Sequence, residues 1–279
     1  RDLVRSRGLG DVYKRQMLTR MLDPALRVRP QWDLSHLYSA AGATLPDLVE
    51  PGEFVPSPST QEELESALRY MLAQGSDQLV FHLPGLSEEK SRQLMDQSLA
   101  VMKDHCEQGY NQVHCTWSRE LVTLSFSAAG AGRRTQEYRA ASIEAAAAVH
   151  DRLWEEGALR LDMTEKEKAL VYYDWICDNC AYDYHAKDDS LSHIPYSLFA
   201  KKTAVCDGYT GAYNLLLKLE GIQCSTIIQG DHIWSVAILD GTEYHIDTTW
   251  GDSGSETIYD YFAMTPQQSM KIHAEKSIL

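Results

Sequence analysis

Two apolar runs joined by Asp240-Gly241 constrain this chain more than any other feature. Residues 232–239 (HIWSVAIL) and 242–248 (TEYHIDT) are rich in β-branched and aromatic side chains. Asp-Gly is a strong signal for a two-residue hairpin turn, because both of its positions tolerate positive φ. Such a turn pairs Leu239 with Thr242. Counting back sets Val236 opposite His245, Trp234 opposite Asp247 and His232 opposite Thr249. His232 and Asp247 become diagonal neighbours on one face, about 7–8 Å apart between backbones, so their side chains can meet. A slip of one residue would send them to opposite faces. His245 shares the face and rivals His232 as a base, but it sits mid-strand, away from the end where a helix N-terminus can approach.

Upstream lies Ala204-Val205-Cys206-Asp207-Gly208-Tyr209. Tyr209 to Leu219 reads as a helix, with Ala212, Tyr213, Leu215, Leu216, Leu217 and Leu219 apolar and Gly221 as a C-cap. Cys206, Asp207 and Gly208 then form its first turn or the turn just before it. Unpaired N–H groups and the positive helix end favour a thiolate there. Gly208, without a side chain, lets other segments come close. Taken singly, Cys206 reads as a buried structural thiol, and His232 and Asp247 as ordinary strand residues. Taken in order, the three are a nucleophile, a base and a group that orients the base.

The matching text extends well beyond these residues. KTAVCDGYTGAYNLLLKLEGIQC and DHIWSVAILDGTEYHIDTTWGDS are preceded by YDWICDNCAYD and followed by YDYFAMTP. In this ordered combination the chain resembles the transglutaminase-like superfamily in its bacterial form, over roughly residues 140–279. The resemblance implies a papain-like α+β fold and a Cys-His-Asp triad. Cys206 would be the nucleophile, His232 the base and Asp247 the orienting group. Trp250, a candidate cleft residue, and Asp252 match the family's Thr-Trp-Asp-Asp-like ending, but Gly251 stands where an acidic residue is common. The backbone N–H of Cys206 is a natural oxyanion donor, and Tyr196 is a candidate second contributor.

The chemistry implied is acyl transfer through a thioester. Water as acceptor gives a cysteine peptidase or amidase acting on protein or peptide substrates. A lysine amine gives protein-glutamine γ-glutamyltransferase crosslinking. Hydrolysis is favoured, because water needs no dedicated site whereas crosslinking needs a shielded amine groove. The competing readings are a catalytically silent binding module or wall scaffold, a metal or redox protein built on Cys177 and Cys180, and an arylamine acetyltransferase.

A formal net charge of −14 argues against broad nucleic-acid binding. No run of 18 apolar residues indicates a transmembrane helix. Six cysteines, one of them a free thiolate, do not make a disulfide scaffold. Cys177 and Cys180 form a CxxC that ends a helical run, whereas redox pairs usually open one. No second CxxC completes a zinc site, so structural thiols are expected. With no EF-hand loop either, neither cofactor nor metal is expected. The loop histidines His185 and His193 are candidates for lining the cleft, and His82, His105 and His114 read as ordinary surface or core residues.

The organisation expected is α+β, a papain-like transglutaminase core with helices on an antiparallel sheet, preceded by a small α+β module. Residues 1–16 (RDLVRSRGLGDVYKRQ) are basic in an acidic chain, resemble translated adapter sequence and read as a non-native leader. The native N-terminus, with any signal peptide, therefore need not be present. Residues 17–57 are an extended arm or linker. Residues 58–128 form the small accessory domain, with a helix over 62–73, a strand over 78–83, a helix over 87–106 and strands over 111–117 and 120–127. Ala128 to Thr135 reads as a flexible boundary. The catalytic domain, 136–279, should hold helices from Gln136 to Glu156 and from Thr164. It should end with a strand or turn at Tyr259 to Phe262 and a C-terminal helix. Because bacterial members with an accessory N-terminal module are often exported, the resemblance implies an extracellular or cell-surface location, with the cytoplasm as the alternative.

Overall fold

The computed structural model describes residue 58, residues 63–68, residues 77–83 and residues 85–276 apart from 86, 119, 129, 132 and 133. The leader and most of the arm lie outside the described residues, as does much of the helix expected over 62–73, of which 63–68 are helical.

The N-terminal part is an antiparallel sheet of β1 (Gln78–His82), β2 (Gln112–Ser118) and β3 (Leu121–Ser127), in the order β1-β3-β2. Helix α1 (Glu88–Asp104) begins at Ser87, whose side chain accepts from the Lys90 N–H. Alternation places Phe81, Val122 and Leu124 on the buried face, where they pack with Leu94, Val101 and Met102.

The larger core follows. Helix α2 (Thr135–Glu155) leads to α3 (Glu165–Asn179), which opens on a capping box between Thr164 and Glu167. A short parallel pair, β4 (Ala181–Tyr182) and β5 (Thr203–Ala204), brackets α4 (Pro195–Lys201). Then come α5 (Cys206–Leu219), β6 (Cys224–Gln229), β7 (His232–Leu239), β8 (Thr242–Ile246), α6 (Thr248–Gly251) and α7 (Pro266–Lys276). Strands β6-β7-β8 form an antiparallel sheet, and α5 packs against β7. Tyr172, Ile176, Tyr209, Tyr213, Leu216 and Leu239 lie in its core. The architecture is mixed α+β, with helices against antiparallel sheets, as expected.

The β7–β8 register is the counted one from Leu239 opposite Thr242 to Ser235 opposite Ile246. The ladder ends there, so Trp234 and His232 are not paired with Asp247 and Thr249, which cap α6 and lie within it instead. Asp240 and Gly241 have φ of 51° and 78°, the geometry a two-residue turn requires. The turn is also tied to the core, since the Asp240 carboxylate accepts from the Glu165 and Lys166 N–H groups at 3.0 and 3.3 Å.

Helix α5 is buried on nearly all sides, so it is the central element of the core. Gly208 and Gly211 make that burial feasible. A Cβ at Gly208 would lie 2.5 Å from the Ser192 carbonyl oxygen, and one at Gly211 would lie 2.8 Å from that of Cys106. The Cys106–Gln108 turn of the N-terminal part thus presses directly on α5. Arg139 of α2 donates to Gln108 at 2.9 and 2.5 Å, and Lys218 of α5 pairs with Glu107.

Several local expectations differ from the structure. The stretch after Ala128 is packed: Ala128 and Ala131 are buried against Ile194, and the Ala128 N–H donates to Thr135 Oγ1 at 3.0 Å. Small side chains there permit close packing, which composition alone reads as flexibility. Helix α4 was hidden inside a loop-like stretch; Pro195 at its first turn starts it. Tyr259–Tyr261 is a 3₁₀ turn. Cys177 and Cys180 are free thiols turned to different carbonyls, those of Thr248 and Leu198. Burial pushes Cys180 up to about 12 and Cys177 well above its ordinary value.

Candidate active site

Cys206 is the first residue of α5, so Cys206, Asp207 and Gly208 form its first turn, one of the two expected placements. The Cys206 N–H therefore has no carbonyl four residues back within the helix. Its Sγ is 3.8 Å from the Asp231 carbonyl oxygen, at the mouth of β7. The backbone N–H groups of Asp207 and Ile233 also point at the sulfur. Burial pushes the thiol up to about 12 and the Asp207 carboxylate adds to this, while the backbone N–H groups of Asp207 and Ile233 pull the other way. The expected helix-end activation is present but outweighed by desolvation. Asp207 is itself held by His193, whose Nδ1 donates at 2.9 Å, so the loop upstream does reach the residue beside the thiol.

The hydrogen-bonded constellation of the site is His232–Asp247–His273. His232 Nε2 donates to Asp247 Oδ2 at 2.7 Å, and His273 Nε2 lies 3.1 Å from the same oxygen. The other oxygen, Oδ1, accepts from the Thr249 and Trp250 N–H groups at 3.0 Å each, capping α6. Asp247 is fully buried. Burial alone would push its carboxyl up, but the bonds from His232 and His273 outweigh it and hold it below its ordinary value. Because His232 spends Nε2 on Asp247, its Nδ1 is the nitrogen left for chemistry. Trp250 stacks on the His232 ring with centroids 4.5 Å apart and planes 7° apart, which fixes its tilt.

The rival base His245 is buried, and its Nδ1 accepts from Trp234 Nε1 at 3.3 Å. Burial pushes its imidazole down. Tyr196 stacks on Tyr138 at 4.8 Å, beside the Ala128, Ala131 and Ile194 cluster. Among the described residues no hydrogen bond ties it to Cys206, His232 or Asp247. His232, Asp247 and His273 are also the one group among the described residues whose nitrogens and carboxylate oxygen converge within 4.8 Å, as a cation would require.

Residues 154–246, which run from the end of α2 through β8, match the model of the family described as the transglutaminase-like superfamily. Over these residues the chain is similar to that superfamily. It is 27% identical to the kyphoscoliosis peptidase of Homo sapiens and 25% identical to that of Mus musculus. Each alignment covers 36% of this chain, and the chain spans 18% of the length of these curated relatives. A solved structure described as "Crystal structure of a TGase" superposes on 65% of this chain and 53% of its own, at 10% identity and a TM-score of 0.36.

At Gly251, where the resemblance implies an acidic residue, the structure has no room for a side chain. A Cβ there would lie 1.9 Å from Tyr173 Oη, and that hydroxyl is fixed by donating to the Ile258 carbonyl at 2.7 Å. Asp252 takes a bond from Tyr209 Oη at 2.5 Å, tying α6 to the second turn of α5. Nothing in the sequence singles out His273. It stands in a polar C-terminal stretch, 26 positions beyond Asp247, and only its spacing from Ser269 on the buried face of α7 sets it apart.

Proposed function

We propose that this chain cleaves amide bonds of protein or peptide substrates through Cys206, with His232 as base and Asp247 as orienting group. The observation that carries the reading is the His232–Asp247 bond beside a helix-opening cysteine. It leaves His232 Nδ1 as the free nitrogen next to the strand end that Cys206 Sγ touches. The word "peptidase" in the names of the human and mouse relatives supports it. In this mechanism His232 Nδ1 takes the thiol proton as Sγ attacks the amide carbonyl. The Cys206 N–H, at the open helix end, receives the oxyanion. His232 returns the proton to the departing amine, and a thioester remains. Water, deprotonated by His232, attacks the thioester and releases a carboxylic acid and the free thiol. Trp250 holds the His232 ring in plane throughout. Transfer to a lysine amine, which would make the protein a crosslinking enzyme, uses the same first half.

The high resting position of the Cys206 thiol favours a second reading, a transglutaminase-like binding module without turnover. The two separate in the rate of Cys206 alkylation against pH, followed by mass spectrometry in wild type and His232→Ala. The enzyme reading expects Cys206 to react faster than Cys115, with His232→Ala removing the advantage. Equal, slow reaction in both proteins would sink it in favour of the binding module.

A further inference from the structure

We propose that His273 is a positioning residue of this site, an imidazolium that holds the side of the Asp247 carboxylate opposite His232. The proposal rests on the acyl-transfer reading of Cys206, His232 and Asp247.

The protons on His273 follow from its partners. Nδ1 lies 2.7 Å from the Ser269 carbonyl oxygen, which can only accept, and 3.2 Å from Ser269 Oγ, which can do either; the shorter contact puts a hydrogen on Nδ1. Nε2 lies 3.1 Å from Asp247 Oδ2. That oxygen belongs to a carboxylate receiving two backbone N–H groups and His232 Nε2, the surroundings of an ionised acid. An unprotonated Nε2 would place two lone pairs face to face, so Nε2 carries the second hydrogen. The ring is buried between Trp234, at 3.7 Å and 9°, and Trp250, at 4.5 Å and 15°. Two indole faces are a favourable environment for a cation. The titratable groups facing it include Asp247, His232 with its ring centroid 5.6 Å away, and His245.

Two consequences follow for the reaction. Oδ1 is fixed by α6 and Oδ2 by α7, so the carboxylate cannot rotate, and His232 meets it at one angle. The His273 charge also offsets that of Asp247, whose carboxylate helps to hold the Cys206 thiol up. His273 touches neither substrate nor sulfur; it acts through Asp247.

The test is the pH profile of Cys206 alkylation by iodoacetamide in wild type, His273→Gln and His273→Phe, with His232→Ala as reference. Glutamine keeps a donor to Asp247 and loses the charge. Phenylalanine keeps the stacked volume and loses both. His273→Gln is expected to react about tenfold more slowly at neutral pH, with the acid limb of its profile about one unit higher, because the thiolate then faces an uncompensated Asp247 charge. His273→Phe is expected to approach His232→Ala. Wild-type rates and profile in both His273 variants, with His232→Ala slow, would overturn the positioning role while leaving the acyl-transfer reading intact. A wild-type Cys206 indifferent to His232→Ala would overturn both. Should the variants fail to fold, ¹H–¹⁵N correlation of the imidazole nitrogens in the wild type decides. Two protonated nitrogens on His273 at neutral pH support the proposal, and one unprotonated nitrogen overturns it.

Discussion

Around Asp247, four N–H groups from three elements meet one buried carboxylate, and its neighbours are cut to fit. Gly251 is the clearest case. It packs so close to Tyr173 Oη that no side chain can be added without displacing a tyrosine held by the Ile258 carbonyl and by edge contact with Phe262 at 5.2 Å. Gly251→Ala should therefore destabilise the protein by about 2–3 kcal/mol through overpacking. In a Tyr173→Ala background, where the obstructing ring is gone, the same substitution should have little effect. Urea unfolding of the four proteins in this cycle measures the coupling. Equal penalties in both backgrounds would mean that the steric account of the missing acidic residue is wrong.

Among the elements, α2, α3 and α5 are held together at one end by Glu220. Its buried carboxylate accepts from Lys168 Nζ at 2.7 Å, Trp154 Nε1 at 2.8 Å and Tyr172 Oη at 3.1 Å, and it pairs with His150 Nε2 at 2.9 Å. Burial would push this carboxyl up, but the His150 and Lys168 bonds bring it from 4.5 down to about 2. A depressed folded-state value means stability present above the unfolded value and lost on acidification. The Glu220 contribution, about 3 kcal/mol, should be complete above roughly pH 5 and vanish as the pH falls towards 2. Unfolding free energies measured down this range should fall more steeply for wild type than for Glu220→Gln. Parallel curves would remove Glu220 from the acid response. The helix-bundling role explains why so polar a group survives in the core: each of its partners comes from a different turn of α2 or α3.

Across the whole molecule, the small N-terminal sheet is bound to the transglutaminase-like core by polar contacts from one turn. Glu107 is fully buried against Lys218, with His105 beside it. Burial would raise Glu107, yet Lys218 and His105 hold it well below the usual carboxylate range. Removing one partner of a buried pair is far more damaging than replacing both. Glu107→Ala should cost about 3–5 kcal/mol, whereas Glu107→Leu with Lys218→Met should recover most of it. The comparison is by urea midpoint and slope. A mild effect of Glu107→Ala would mean that the junction contributes little to stability. Since Lys218 lies on the helix that Cys206 opens, this junction also joins the N-terminal part to the frame of the site.

The local signals in the sequence reached far. The period-two pattern and the Asp240-Gly241 turn are properties of neighbouring residues, so the β7–β8 register, and with it the meeting of His232 and Asp247, followed from the sequence alone. The 3.6-residue pattern likewise placed α1, α2, α3 and α5, leaving open whether Cys206, Asp207 and Gly208 were the first turn of α5 or the turn before it, because they carry little apolar signal. Packing decided the rest. His273 and Trp234 reach the site from separate elements, Glu107 and Lys218 are 111 positions apart, and Tyr173 closes on Gly251 from α3. The same holds for the Cys206 thiol: its helix-end position was legible, but the desolvation that overrides it exists only once α5 is enclosed. Periodicity and turn chemistry act between residues adjacent in the chain, whereas a hydrogen-bond partner across the core, and the loss of water around it, depend on which surfaces the fold brings together.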